Sequence, residues 1–486
     1  FKAFAFLFRK TLNCTVSQNK KPTMLSKKIH FEISERKVLL RIFDVLTVIG
    51  ALHIASLVFD FDYFTITVSS FYWAIILAIY LMVFGTIFEM YNLQTASNQF
   101  QVIKSILLTS TTTVLFFLLT PVLTPVLPSN RLQIIYFFLA VTLSLFAWRI
   151  FYQSFLASHR FLKGVIMVCD RNQLEELVQS LGTADPHYKI LGFINTDSRD
   201  NETREILDIQ NIEIEDLQFF VNEKSISEIV IASQNTDGIT AGLYNNLLAL
   251  LEKGFVIREY TQVYENITQR IPVQYVSKDF YRYFPFSRSN HNRLYLILVR
   301  FIEIVISLIG IFIGLYLLPF IYVGNFFANR GPLFYTQERV GKNGKVFTIY
   351  KFRTMVQNAE KNEAVFATQN DSRITSFGKF LRKSRIDEFP QFFNILKGDM
   401  AVIGPRPERP YFVEKIAEQM PFYQTRHVIK PGLTGWAQVN YAYGDSIKDS
   451  LIKLQYDLYY IKHRSVFLDI NITIKTISTI LFYRGQ

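Results

Sequence analysis

The 486-residue chain has only two cysteines, 15 prolines and 21 glycines, and only 19% of its residues are charged. Cys14 and Cys169 are too few for a disulfide framework and read as free thiols in a reducing compartment. The shortage of Gly and Pro excludes collagen-like and low-complexity chains, and the 50% apolar content excludes disorder. Acidic residues are also short, 40 against 52 Lys and Arg, which leaves a formal charge of +12. Apolar and aromatic side chains are abundant, 46 Phe among them. A chain both basic and this apolar suits an anionic membrane surface or phosphate-bearing substrates better than nucleic acid.

The first 23 residues lack Met. Met24 opens a polar, basic run and is a candidate start, with the stretch before it an upstream extension left out of the fold. Four apolar stretches follow, near Val38–Phe59, Phe71–Phe88, Val102–Leu123 and Leu132–Leu156. Each approaches the ~20 residues that cross a ~30 Å hydrocarbon core. Helices of soluble cores are rarely apolar all round for this length, so membrane crossings are the preferred reading. Lys27, Lys28, Arg36 and Lys37 precede the first stretch, Asp60 and Asp62 follow it, and Arg149, Arg160 and Lys163 close the fourth. The positive-inside rule then puts both ends of the unit in the cytoplasm. Asp44 and His53 lie inside the first stretch, where ionisable groups are functional suspects, although Asp44 is near enough to the cytoplasmic end to reach water.

From about Gly164 to Pro272 short β-rich runs alternate with helical ones. Gly164–Val168, Ile190–Ile194, Glu228–Ile231 and Val256–Tyr260 read as strands, and Gln173–Leu181 and Thr240–Lys253 as helices, giving a small parallel α/β domain. Where a dinucleotide site needs a glycine-rich turn, the sequence is Cys169-Asp170-Arg171-Asn172, so a structural or regulatory domain is expected. A fifth apolar stretch, Ile304–Val323, has Arg282, Arg288, Arg293 and Arg300 before it and Arg330, Arg339, Lys342 and Lys345 after it. Basic flanks on both sides fit a segment that enters and returns on the cytoplasmic side, with Pro319 breaking the helix; an ordinary fifth span is the alternative. Beyond Gly331, Ile447–Arg464 and Val466–Tyr483 read as amphipathic helices, the last either lying in the headgroup interface or packing as a core helix.

Three clusters after Gly331 could carry chemistry. Val346–Met355 reads as a strand whose period of two puts Phe347, Ile349, Lys351 and Arg353 on one face, a pair of cations suited to phosphate or to a solvated edge. In Gly378–Leu396, Asp387 is a good helix N-cap, Pro390 fits the first turn, and Phe389, Phe392, Phe393 and Leu396 supply an apolar face. Asp387 and Glu388 diverge by about 100° on a helix and cannot share one role symmetrically. With Arg382, Lys383 and Arg385 upstream, a carboxylate there stays ionised and attracts phosphate, and ionised carboxylates can attack phosphorus. A surface capping pair is the bland reading. In the third cluster, Lys397–Pro407 followed by Lys430–Trp436, Arg406 stands between Pro405 and Pro407, which restricts the backbone beneath its guanidinium.

Taken together, the Pro-containing apolar segment, Lys351-Phe-Arg-Thr-Met355, Asp387-Glu388, Gly404-Pro-Arg-Pro407 and Pro431–Asn440 resemble the bacterial sugar transferase family of monotopic phosphoglycosyl transferases. The resemblance runs from about Arg293 to Tyr483, and Ala401 stands where the family often has Ser. With four preceding spans and a degenerate α/β domain, it is similar to the large members that transfer hexose 1-phosphate. The resemblance implies a membrane protein of α plus α/β class: a cytoplasmic segment 1–37, four transmembrane helices in 38–158, a Rossmann-like domain 159–275, a linker 276–292, and a re-entrant helix with catalytic α/β domain in 293–486. It further implies transfer of hexose 1-phosphate from a UDP-hexose to undecaprenyl (polyprenyl) phosphate with release of UMP, the first membrane step of exopolysaccharide, capsule or O-antigen synthesis. By resemblance Asp387 is the nucleophile, forming a covalent phosphosugar intermediate. Glu388 is the second acid, both carboxylates support Mg²⁺, and Lys351, Arg353, Arg385 and Arg406 hold phosphates or nucleotide. Membrane lipids and a second copy in a homodimer are the other implied partners, with no role for nucleic acid. The implied site is the bacterial inner membrane, multi-pass, with the catalytic domain on the cytoplasmic face.

Two competing readings remain at this level. A membrane-anchored nucleotide-sugar dehydratase or epimerase would use a Tyr/Lys pair, and Tyr411 and Lys415 have the spacing without a glycine fingerprint before them. A non-catalytic scaffold of polysaccharide assembly is the other.

Overall fold

The computed structural model describes residues 33–59, 61–68, 70–91, 99–155, 163–182, 188–197, 209–224, 226–232, 239–273, 290, 292–329, 331–356, 371–420, 422–441 and 446–481. Cys14, Met24, Lys27, Lys28, Asp60, Arg160, Arg282, Arg288 and Arg330 lie outside the described residues.

Helices α1 (Ile33–Val58), α2 (Phe71–Ile87), α3 (Gln99–Leu119) and α4 (Leu132–Phe155) make the N-terminal unit. Among the described residues, four helices are long and apolar enough to cross a membrane: Val38–Val58, Val102–Leu119, Leu132–Tyr152 and the later Arg293–Ala328. The expected second span, α2, is apolar but only 17 residues long, the short end of the spanning range. One end of the unit is plugged by the α1–α2 connection, whose Phe61, Tyr63 and Phe64 are buried against Phe117 and Phe137. Toward the other end Asp44 does not reach water as its position suggested. It is fully buried, and its Oδ2 accepts from Arg149 Nη2 of α4 at 2.8 Å, because an unpaired carboxylate there would be far costlier than a paired one. Tyr91 lies under the guanidiniums of Arg41 and Arg149, at 5.1 and 5.7 Å. His53 sits on the exposed side of α1.

The middle domain is a five-stranded, all-parallel sheet in the order β3-β2-β1-β4-β5. Its strands are β1 (Lys163–Cys169), β2 (Tyr188–Asn195), β3 (Gln210–Asn211), β4 (Glu228–Ile231) and β5 (Val256–Glu259). Helices α5 (Arg171–Gly182) and α8 (Tyr260–Thr268) cover one face, and α6 (Leu217–Glu223) and α7 (Ala241–Glu252) the other. The order is that of a doubly wound fold. After β1, Asp170 accepts from Thr196 Oγ1 and Asn195 Oδ1 accepts from Arg171 N at 3.3 Å.

The last part begins with α9 (Arg293–Ala328), 36 residues long, whose N-cap Asn292 accepts from Leu294 N and Tyr295 N. The expected break at Pro319 is absent: the helix runs through the proline to Ala328. The reason is packing on both sides of it. Gly310 and Gly314 lie against Phe392 and Phe389, Ile321 is buried with Phe352 and Leu381, and Gly324 lies against Phe377. That contact outweighs the one backbone hydrogen bond that proline removes. Both ends of α9 are tied to the same domain. Arg300 donates to Ile395 O and Leu396 O at 2.7 Å each, and Asn329 Nδ2 donates to Arg353 O at 3.0 Å. The opposite side of α9 exposes Phe301, Phe312, Tyr316, Phe320 and Phe327.

Two small sheets follow: β6 (Phe334–Val340) antiparallel to β7 (Val346–Phe352), then β8 (Ala401–Ile403) parallel to β9 (Gly432–Thr434). Around them lie α10 (Ser376–Lys383), α11 (Gln391–Lys397), α12 (Pro410–Gln419), α13 (Trp436–Asn440), α14 (Ile447–His463) and α15 (Val466–Leu481). Of the two expectations for α15, the structure takes the packed one. Ile472 and Ser478 are buried, Asp469 accepts from the hydroxyls of Tyr295 and Tyr460, and the helix also packs on α2, while Phe467, Ile470 and Ile477 stay exposed. The middle domain docks on α14. Glu265 of α8 pairs with Lys462 at 2.8 Å and His463 at 2.5 Å, and Trp436 Nε1 donates to Gln269 O at 3.2 Å.

Gly378 of α10 is so close to the end of β7 that a Cβ would stand 1.9 Å from Thr354 O. Gly378→Ala is expected to destabilise the protein by about 3 kcal/mol through overpacking, read as a lower thermal-unfolding midpoint of the solubilised protein. Gly242→Ala, a helical position with open space around it, is the control and should stabilise by about 0.5 kcal/mol.

Candidate active site

The site forms where α10 turns into α11. After α10 ends, Arg385 adopts a left-handed conformation, φ 57°, and swings the chain into a single 3-10 turn, Ile386–Glu388. Asp387 is therefore not the N-cap of the following helix. That position belongs to Pro390, itself helical and without a side-chain cap, so both carboxylates are free to point inward instead of capping. They are 7% and 8% exposed. Phe389 and Phe392 turn toward α9 as the apolar face required, but Phe393 is exposed beside Tyr350.

Glu388 collects the cations. Its Oε1 lies 3.2 Å from Lys351 Nζ, 3.4 Å from Arg406 Nη2 and 3.6 Å from Arg385 Nη1. Lys351 is brought there by β7, whose face carries Ile349 into contact with Ile395 and Met400. Asn394 straps that strand to α11: its Oδ1 accepts from Tyr350 N at 3.1 Å and its Nδ2 donates to Thr348 O at 2.7 Å. Arg406 arrives on the turn after β8. There Gly404 meets Gly432 and Gly435 backbone to backbone, so closely that a Cβ on Gly432 would stand 2.1 Å from Gly404 N and one on Gly435 2.1 Å from Gly404 O. The glycines of the two C-terminal motifs are thus one contact.

Arg353 is placed differently from its strand neighbour Lys351. It is buried at the C-terminal end of α9, where its Nη2 donates to Asn329 O at 3.0 Å, a position that also complements the helix dipole. Its Nε and Nη1 have no hydrogen-bond partner among the described residues. Arg382, named in the sequence as one of the cations before the dyad but not as a substrate-binding residue, donates from Nε to Thr354 Oγ1 at 2.9 Å and adds positive charge near Asp387. Only its place in a basic run before the dyad signalled it.

The two carboxylates are electrostatically unlike. Burial alone would raise Glu388, but Lys351, Arg406 and Arg385 outweigh it and hold the group well below the usual range. Asp387 is pushed up to about 6 by burial and by the charge of Glu388, against the opposing pull of Lys351, Arg382 and Arg385. Burial lowers Lys351, and Glu388 opposes that shift. Asp387 Oδ1 is buried without a hydrogen-bond partner among the described residues, whereas Glu388 is already engaged. Among the described residues no group of three or more His, Cys, Asp or Glu could hold a metal ion. A Mg²⁺ here would have at most two carboxylates from the described residues and would complete its shell with waters and substrate phosphates.

Residues 294–483 match the family model described as bacterial sugar transferase. A UDP-N-acetylgalactosamine-undecaprenyl-phosphate N-acetylgalactosaminephosphotransferase of Aeromonas hydrophila is 38% identical over 257 residues, 52% of this chain and 59% of that protein. A Bacillus subtilis protein provisionally named an undecaprenyl-phosphate N-acetylgalactosaminyl 1-phosphate transferase is 43% identical over 161 residues, 33% of this chain and 86% of that protein. The chain belongs to the bacterial sugar transferase family. A UDP-glucose:undecaprenyl-phosphate glucose-1-phosphate transferase of Xanthomonas campestris is 42% identical over 164 residues, 33% of this chain and 34% of that protein. The chain thus spans 59% of the Aeromonas relative's length and 34% of the Xanthomonas one's. For a bacterial sugar transferase, the Tyr411/Lys415 pair of a dehydratase has no place. The two residues stack on α12, Lys415 Nζ 4.8 Å from the Tyr411 ring centre.

Lys351→Met should expose the tension in this family site by leaving Glu388 buried with its nearest cation gone. We expect a loss of about 3 kcal/mol in unfolding free energy, and recovery of more than half of it in the Lys351→Met/Glu388→Gln double variant. A double variant no more stable than the single one would mean that Lys351 contributes packing and not charge.

Proposed function

We propose that this bacterial sugar transferase moves a hexose 1-phosphate from a UDP-sugar to undecaprenyl phosphate, releasing UMP, as the first membrane step of a cell-surface polysaccharide. The observation that carries the proposal is the asymmetric dyad, in which three cations engage Glu388 while the neighbouring Asp387 keeps a buried oxygen without a partner among the described residues. The relatives' names supply the substrate class. Lys351, Arg382, Arg385 and Arg406 face two carboxylates, an excess of two positive charges that matches the two negative charges of a sugar-nucleotide diphosphate.

The chemistry follows from those residues. Asp387 attacks the phosphorus that bears the sugar. The bond from that phosphorus to the bridging oxygen of the diphosphate breaks, and UMP leaves with the electron pair. The sugar phosphate stays on Asp387 as an acyl phosphate. An oxygen of undecaprenyl phosphate then attacks the same phosphorus, the bond to Asp387 breaks, and the carboxylate is restored. A loose phosphoryl-type transition state needs alignment and cations more than acid-base groups, and Lys351, Arg385 and Arg406 supply both, with the buried free N–H groups of Arg353 available to a further phosphate oxygen. Mg²⁺, held by Asp387 and Glu388, would neutralise charge on the diphosphate.

We propose the cytoplasmic side of the bacterial inner membrane as the catalytic face. With the 17-residue α2 counted as a crossing, the four N-terminal crossings would return the chain to its starting side, and α9, bound to one domain at both ends, would embed its exposed aromatic side from that same side. Assembly as a homodimer is proposed from the family resemblance alone.

Asp387→Asn should reduce UMP release from UDP-sugars by at least about a thousandfold with the thermal midpoint little changed; undiminished release would contradict the covalent mechanism. Because Asp387 must be ionised to attack, turnover is expected to be full above its raised value and to fall as pH drops through about 6. A pH–rate profile flat down to pH ~5 would remove Asp387 as the attacking group.

A further inference from the structure

Arg406 sits on a turn that cannot anchor itself, since Pro405 and Pro407 have no backbone N–H to give. The anchoring comes from outside the turn. Gly404 N donates to Thr434 O and Gly432 N to Pro405 O, each at 2.9 Å, and Arg339 Nη1 donates to Pro407 O at 3.1 Å. The bond to the carbonyl of Arg406 itself comes from Arg426, whose Nη2 donates to it at 3.0 Å.

Arg426 is 4% exposed, and the same Nη2 donates to Asp457 Oδ2 at 2.7 Å while its Nη1 donates to Tyr423 Oη at 2.6 Å. Asp457 is 2% exposed on α14. A buried ion pair gives little net stability compared with apolar packing of the same volume. What this pair supplies is a rigid fork with one N–H held on Arg406 O. The Arg406 side chain is one-third exposed and reaches Glu388 at 3.4 Å, so where its guanidinium lies depends on the backbone that Arg426 holds as well as on Glu388.

We propose that the buried Arg426–Asp457 pair positions Arg406, holding its guanidinium where the diphosphate of the sugar nucleotide binds. The proposal rests on the UDP-sugar reading above. Neither residue meets the reacting atoms, and both act through the Arg406 carbonyl. A shift of about 1 Å in a positioning group is enough to cost up to a hundredfold in rate.

The test is a double-mutant cycle on UMP release by the full-length protein in detergent, with wild type, Arg426→Gln, Arg406→Ala and the double variant, each also followed by thermal unfolding. We expect Arg426→Gln to raise KM for the UDP-sugar about tenfold with a smaller change in kcat, and to have almost no further effect once Arg406 is Ala. Should Arg426→Gln fail to fold, Asp457→Asn, which keeps an acceptor for Arg426 and removes only the charge, takes its place in the cycle with the same expected non-additivity. Equal fold-losses in both backgrounds would overturn the proposal, since a purely structural pair lowers the thermal midpoint and leaves the effects multiplicative. No UMP release by wild type from any UDP-sugar would overturn the functional reading, and the proposal with it.

Discussion

The Glu388 carboxylate gathers cations from three separate stretches of chain. Lys351 comes on a strand, Arg385 on a left-handed residue before the 3-10 turn, and Arg406 on a proline-flanked turn. Each cation would repel the others if the carboxylate were absent, and the carboxylate would be costly to bury without them. The same arrangement separates the two acids, since a firmly ionised Glu388 raises its neighbour, and Asp387 keeps an oxygen in reserve. An adjacent Asp and Glu, similar as side chains, thereby acquire different chemistry.

The membrane-facing helix is built into this site. Phe389 and Phe392, immediately after the dyad, fill the space over Gly314 and Gly310 of α9, and Arg300 of α9 accommodates the carbonyls at the end of α11. The dyad is thus positioned by the same helix whose other side exposes apolar and aromatic residues. Under the proposed function the carboxylate would meet both a soluble nucleotide sugar and a lipid phosphate, and its support is a helix with an exposed apolar side.

Much of this was legible in the sequence where a signal is local and periodic. Strands β1, β2, β4 and β5 were readable as short β-rich runs, although β5 is a half-exposed edge strand, whereas two-residue β3 is too short to carry a period. The dyad and its basic neighbours were visible as a cluster, but the capping role given to Asp387 rested on a helix start that the chain makes three residues later, at Pro390. The break at Pro319 was inferred from a local rule, and packing along the whole of α9 overrode it. Arg426 and Asp457 stand 31 residues apart, and Glu265 and Lys462 197 apart, separations at which no pattern in a single sequence announces a contact.

The central claim is that Asp387 carries the sugar phosphate. Its most direct test is mass spectrometry of the purified protein after brief exposure to the UDP-sugar it uses, with Mg²⁺ and without undecaprenyl phosphate. The account predicts one added sugar phosphate, on the peptide containing Asp387, that disappears when undecaprenyl phosphate is supplied. UMP released only in the presence of undecaprenyl phosphate, with no adduct at any stage, would contradict it.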